Sequence, residues 1–82
     1  MNRARGIEGV RAAALLREGE EGEIRCSLRS KGGVDVRSVA ALHDGGGHRN
    51  ASGCRMAGTL ASAKAALVLE IAAAVAAAPE AE

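Results

Sequence analysis

Residues 45–48 read Gly-Gly-Gly-His, and Arg49 follows directly. Consecutive glycines leave the main chain bare, so that several N–H groups can converge on one anion with no Cβ in the way. An imidazole at the end of such a run donates to a phosphate oxygen, or ligates a metal, near neutral pH. A guanidinium beside it adds a two-pronged contact to phosphate. A second guanidinium, Arg29, ends the stretch Glu23–Ser30 (EIRCSLRS), in which Ile24, Cys26 and Leu28 alternate with Arg25, Ser27 and Arg29. That alternation predicts a half-buried strand with Arg29 on the face away from the core. Taken singly, a glycine run is more often a flexible loop and a lone Arg is usually solvated, but Gly45, Gly46, Gly47, His48, Arg49 and Arg29 together favour an anion site, with phosphate a fitting ligand.

The charge distribution agrees. The net charge is only +1, yet residues 24–58 carry six Arg or Lys against Asp35 and Asp44, while both flanks are net acidic. A basic centre suits an anionic ligand, although solvated surface charge has the same composition. The competing chemistry is a zinc site built from Cys26, His43, His48 and Cys54. Their spacings, with sixteen, four and five intervening residues, lack the close pairs of structural zinc motifs. Cys26 also falls on the apolar side of its strand, so both cysteines read as small buried hydrophobes and no metal is expected on this chain.

The elements that must position these residues are few. Eighty-two residues make one small domain, 1–82, and with no Phe, Tyr or Trp its core is thin. Val10–Glu18 (VRAAALLRE) is built of helix formers, but Val10, Ala12, Ala14 and Leu16 also alternate as a strand does. Gly19-Glu20-Glu21-Gly22 between it and the EIRCSLRS strand suits a hairpin turn, which requires the first arm to be a strand. Lys31-Gly32-Gly33 reads as a loop, and Asp35 as the cap of a short helix carrying Val36, Val39, Ala40 and Leu42, with Ser38 at its third position. After the GGGHRNASG loop, Cys54–Ala57 is a short strand. Thr59 caps a final helix with Leu60, Lys64, Leu67, Ile71 and Val75 on one face, and Pro79 ends it. The expected fold is α+β, a small two-layer unit with a mainly antiparallel short sheet, in the order strand-strand-helix-strand-helix. Ala65–Ala78 is the one long apolar run; Glu70 interrupts it, and its length and alanine content predict no membrane span. Two cysteines and no signal-like segment predict a cytoplasmic protein with reduced thiols.

The stretch RCSLRSKGGVDVRSVAALHDGGGHRNASGC resembles the C-terminal, DHH-associated domain of DHH-family phosphoesterases, above all the oligoribonuclease and pAp-phosphatase branch. The resemblance is carried by SLRS at 27–30, Asp35-Val36 opening a helix, the glycine loop ending in His48 and the small residues at 51–53. It runs from about Ile7 to Ile71, and it makes GVRAAALLRE the family's preceding strand. Asp44 departs from the pattern, standing where many members have a glycine, and is expected to position His48 or Arg49 instead. His43 occupies a slot where relatives often have an aromatic residue, which implies a packing role.

What the resemblance implies is a substrate-binding half. In similar proteins a larger N-terminal domain binds two manganese ions that activate water for phosphoester hydrolysis. This chain, lacking that cluster of carboxylates and histidines, is expected to be inactive alone and to be a piece of a two-domain enzyme. The resemblance places His48 and the Gly45–Gly47 backbone at the reacting phosphate and has Arg29 and Ser30 grip substrate in the interdomain cleft. Short RNA or nucleotide phosphates are the implied ligands and the N-terminal catalytic domain the implied partner. The alternative is an autonomous nucleic-acid-binding adaptor without catalysis. The absence of aromatic stacking platforms weighs against it.

Overall fold

The structure, a computed structural model, describes residues 11–78. Strands β1 (Ala12–Glu18) and β2 (Ile24–Ser30) form an antiparallel hairpin in full register, from Ala12 opposite Ser30 to Glu18 opposite Ile24. The helix-forming composition of β1 is overruled because its pairing with β2 fixes every residue, and because Ala12 and Leu16 pack on the core from alternate positions. Val10 lies outside the described residues. The connection is the expected turn: Gly19 N–H donates to the Glu23 carbonyl at 2.7 Å, and Gly22 takes φ 83°.

Helix α1 (Val36–Ala41) is capped by Asp35, whose carboxylate accepts from the N–H groups of Arg37 (2.9 Å) and Ser38 (3.2 Å). It buries Val36, Val39 and Ala40 against the sheet, with Val34 buried just before the cap. Leu42, expected among the apolar set, is the C-cap and lies exposed because the helix has already ended.

The glycine stretch departs from the expected loop. Gly46–His48 is a third strand, β3, hairpin-paired through the turn Arg49-Asn50 to β4 (Ala51–Met56). β4 therefore starts three residues before the predicted Cys54 and also pairs antiparallel with β2, giving the sheet order β1-β2-β4-β3. Glycines carry no side chain with which to announce a period of two, which is why the strand was hidden. The observed order is strand-strand-helix-strand-strand-helix.

Helix α2 (Leu60–Ala77) begins in a reciprocal cap, in which Thr59 Oγ1 accepts from Ser62 N–H and Ser62 Oγ accepts from Thr59 N–H, each at 3.0 Å. Its buried positions are Ala63 and Leu67, with Ile71, Ala74 and Val75 partly covered, so the contact stripe sits beside the one drawn through Leu60 and Lys64, both of which are exposed. Pro79 lies outside the described residues. Since α2 starts at Leu60, it is long and apolar enough to cross a membrane by length and composition, contrary to what the shorter run suggested. Its packing makes it an element of this fold: Ala63 and Leu67 are in the core, and Glu70 pairs with His43 at the end of α1. Val68 and Leu69, 57% and 72% exposed, leave its outer side uncovered.

Both helices lie on one face of the sheet. Ile24, Cys26 and Leu28 of β2 and Cys54 of β4 meet Val34, Val36, Val39, Ala40, Ala63 and Leu67 there. Among the described residues the other face carries no helix.

Candidate phosphate-binding site

The β3–β4 turn is held by a polar brace. Asn50 Nδ2 donates to Ser30 Oγ (2.9 Å) and toward the carbonyls of Gly32 (3.2 Å) and Val34 (3.3 Å). Ser30 Oγ in turn donates to Val34 O at 2.7 Å, with Arg49 O at 3.3 Å. The main chain of the turn is tied as well: Ser30 N–H donates to Asn50 O (3.0 Å) and Val36 N–H to Arg49 O (2.8 Å). The turn is thus bolted to the end of β2 and the start of α1, leaving the Arg49 side chain exposed. Buried Ser52 donates to the His48 carbonyl at 2.6 Å, which fixes the backbone under the imidazole.

The three glycines separate by cause. A Cβ at Gly45 would run into Gly53 O and stand 2.7 Å from Cys54 Cβ. One at Gly47, where φ is 139°, would stand 2.6 Å from Ala51 O. The hairpin itself requires both. At Gly46 a Cβ would meet nothing within 4 Å, so no contact in the fold demands its bare backbone.

Arg29 and His48 come together through Ala51. That residue is the register partner of Arg29 on β2 and of His48 on β3, so all three share one row. Arg29 lies on the face opposite Leu28 and Cys26, and the row is therefore on the uncovered side of the sheet. Two strand spacings separate the Arg29 and His48 Cα atoms by about 10 Å, a gap that a long guanidinium side chain and an imidazole can close on one phosphate. Arg29 Nη1 donates to the Leu28 carbonyl at 3.0 Å. Ser30, the neighbour of Arg29, has its hydroxyl engaged in the brace.

Asp44 has φ 61°, a left-handed conformation that glycine adopts freely and Asp tolerates better than most residues. Among the described residues its carboxylate forms no hydrogen bond to His48 or Arg49. Its place in the pattern is set by backbone conformation. His43 does more than pack, since its Nε2 lies 2.8 Å from Glu70 Oε1 and joins α1 to α2.

Cys26 and Cys54 are direct register partners, both buried and both free thiols. Burial pushes both thiols up, Cys54 to about 11, with Cys26 beside it adding to the effect. Protonated thiols are poor zinc ligands, and among the described residues no three His, Cys, Asp or Glu converge on a point where a metal could sit. The described residues gather no donor set of the kind a manganese ion would need. A depression of about 560 Å³ lies beside the glycine run, lined by His43, Asp44, Gly45, Gly53, Cys54 and Arg55.

Asn50 and Ser52 hold the β3–β4 backbone around the candidate residues, a role that their residue types do not announce. An Asn two residues after a histidine in a small polar stretch is a turn signal, but its partners Ser30, Gly32 and Val34 become visible only when β2 and β4 are paired.

Residues 1–77 match the family model of the DHHA1 domain. The chain belongs to the DHHA1 domain family. This DHHA1 domain is 41% identical over 54 residues to the bifunctional oligoribonuclease and PAP phosphatase NrnA of Thermus thermophilus, a match covering 66% of this chain and 16% of that protein. It also resembles the crystal structure of an exopolyphosphatase-related protein from Bacteroides fragilis, with a TM-score of 0.75 and 37% identity over 82% of this chain and 20% of the other. The chain thus spans about a fifth or less of either relative's length. The resemblance read from SLRS, Asp35-Val36 and the glycine run is the family found.

Proposed function

We propose that this DHHA1 domain binds the phosphate of short oligoribonucleotides or of 3′-phosphoadenosine 5′-phosphate for a phosphoesterase whose manganese site is in a separate N-terminal domain. One observation carries the reading: Arg29 and His48 flank Ala51 in one row of the uncovered sheet face, next to a glycine, Gly46, whose bareness no packing contact explains. The naming of a similar protein as an oligoribonuclease and PAP phosphatase supports the choice of ligand. Arg29 supplies a charge-assisted grip that is equal before and during reaction, whereas His48 donates to phosphate oxygen as charge develops there. Arg49, on the braced turn, adds charge at the rim. Ser30 acts by holding that turn. Hydrolysis belongs to the other domain, and a cytoplasmic setting with reduced thiols accompanies this reading.

The test is an amide chemical-shift titration of the 82-residue chain with adenosine 3′,5′-bisphosphate. Weak binding is expected, on the order of 10⁻⁴ M or looser as for mainly electrostatic contact, with shifts concentrated on Gly45–His48 and around Arg29. Loop amides that stay still at saturating ligand, or shifts spread over α2, would overturn the proposal. The same chain assayed with short RNA and manganese is expected to show no turnover.

A further inference from the structure

The uncovered face of the sheet carries two basic rows. Beyond the row of Ala13, Arg29, Ala51 and His48 lies one of Leu15, Ser27, Gly53 and Gly46, and beyond that Arg17, Arg25 and Arg55, each the register partner of the next. Like charges directly opposite on paired strands destabilise a sheet, and here three arginines stand side by side across β1, β2 and β4. The local acids leave most of that charge unpaired, although Asp44 lines the same depression as Arg55. Glu23 pairs with Arg25 at 3.0 Å, an exposed contact of little strength, and Glu20 and Glu21 sit in the turn at the same end of the sheet. Among the described residues neither Arg17 nor Arg55 forms an ion pair. Between the two basic rows, inward of Leu15 at the edge, the surface is nearly free of side chains, being Ser27, Gly53 and Gly46.

We propose that Arg17, Arg25 and Arg55 form a second phosphate subsite, so that this face holds a single-stranded oligonucleotide laid over the Ser27–Gly53–Gly46 floor. The proposal rests on the reading of Arg29 and His48 as the first phosphate site, and it names the ligand class that uses both. Four residues of strand separate Arg25 from Arg29, about 13 Å. A nucleoside bisphosphate carries both phosphates on one ribose and does not reach across. At a stacked rise of 3.4 Å the distance takes roughly four nucleotides, and fewer when the strand is extended. With no aromatic residue in the chain, the contacts are to phosphate, and base preference is slight.

The experiment compares hexauridylate, fluorescein-labelled at its 5′ end for anisotropy, with adenosine 3′,5′-bisphosphate on the 82-residue chain, both also followed by amide shift titration, over a range of salt. Hexauridylate is expected to bind more tightly, and Arg55→Gln and Arg17→Gln, both exposed substitutions that keep the amide spectrum, each lower its log K against log salt slope by about 0.7, the value of one single-strand phosphate contact. The loss is confined to the longer ligand. A hexauridylate affinity and slope untouched by both variants would overturn the second subsite, even with Arg29→Gln still abolishing binding of both ligands. Bisphosphate binding indifferent to Arg29→Gln and His48→Ala would instead retire the underlying phosphate site. A glutamate hexapeptide that binds as tightly as hexauridylate, with the same response to Arg55→Gln, would also overturn the proposal by reducing the row to a general anion patch.

Discussion

Gly46 and Gly47 are neighbours on the same edge strand, and their substitution is expected to have opposite consequences. At Gly47 φ is 139°, and a Cβ would stand 2.6 Å from the Ala51 carbonyl oxygen and 2.8 Å from Ser52 Cα. Those are backbone atoms of the paired strand, which cannot rotate away. A residue forced into so sparse a backbone region costs of order 1–3 kcal/mol, and displacement of the hairpin adds to it. Gly47→Ala is therefore expected to lose about 3 kcal/mol, and at 4–8 °C per kcal/mol for a domain of this size its Tm should fall by roughly 10 °C or more. At Gly46 a Cβ meets nothing within 4 Å, and valine is a better strand former than glycine. Gly46→Val should melt within about 0.5 kcal/mol of the parent, the range of an unconstrained surface change. Its effect falls on the ligand, because a branched side chain then stands over bare backbone that no packing contact requires. Thermal melts followed by circular dichroism, with bisphosphate titrations of the folded variants, measure both halves. Equal melting of Gly47→Ala and the parent would refute the steric argument. A stable Gly46→Val that still binds would refute the assignment of Gly46 to ligand approach.

In a full-length enzyme carrying this domain, His48→Ala should lower kcat, whereas Arg29→Ala should raise KM with a smaller effect on kcat; wild-type steady-state kinetics from His48→Ala would remove the imidazole from the reaction. Asn50→Ala breaks the brace at Ser30, Gly32 and Val34 and is expected to destabilise by about 1–2 kcal/mol, since one well-formed and two long hydrogen bonds are lost at a partly exposed turn; urea titration reads it, and a Ser30→Ala, Asn50→Ala cycle should show the losses to be less than additive. The folded-state Cys54 thiol, pushed from 9.0 to about 11, holds its proton where the unfolded chain gives it up. Stability is then fully present below about pH 9 and falls as pH rises from there to about 11, and a chemical-denaturation series that is flat across that range would contradict the burial argument.

Most of the fold was legible because its signals are local. The period of two in Ile24–Ser30, the Asp35 and Thr59 caps and the turn at Gly19–Gly22 each lie within a few residues of what they determine. β1 was legible only through its neighbour, since a stretch of Ala, Leu, Arg and Glu becomes a strand when a turn and a clear strand follow it. β3 was not, because Gly46 and Gly47 give the eye neither a propensity nor a face. The site divides in the same way. Its residue types stood out in Gly45–Arg49 and in Arg29, but the fact that decides how they work together is a register between strands more than twenty residues apart. Cys26 opposite Cys54 sets that register in the core, and once it is set Ala51 must fall between Arg29 and His48, and Arg55 must fall beside Arg25. The buried thiol pair is therefore linked to the open face without touching it. A one-residue slip of β4 against β2 would carry Ser52 and Cys54 out to solvent and turn Arg55 toward the helices. Burial of two small apolar thiols in the core they share with Val39 and Leu67 thus holds the basic rows in place on the open face.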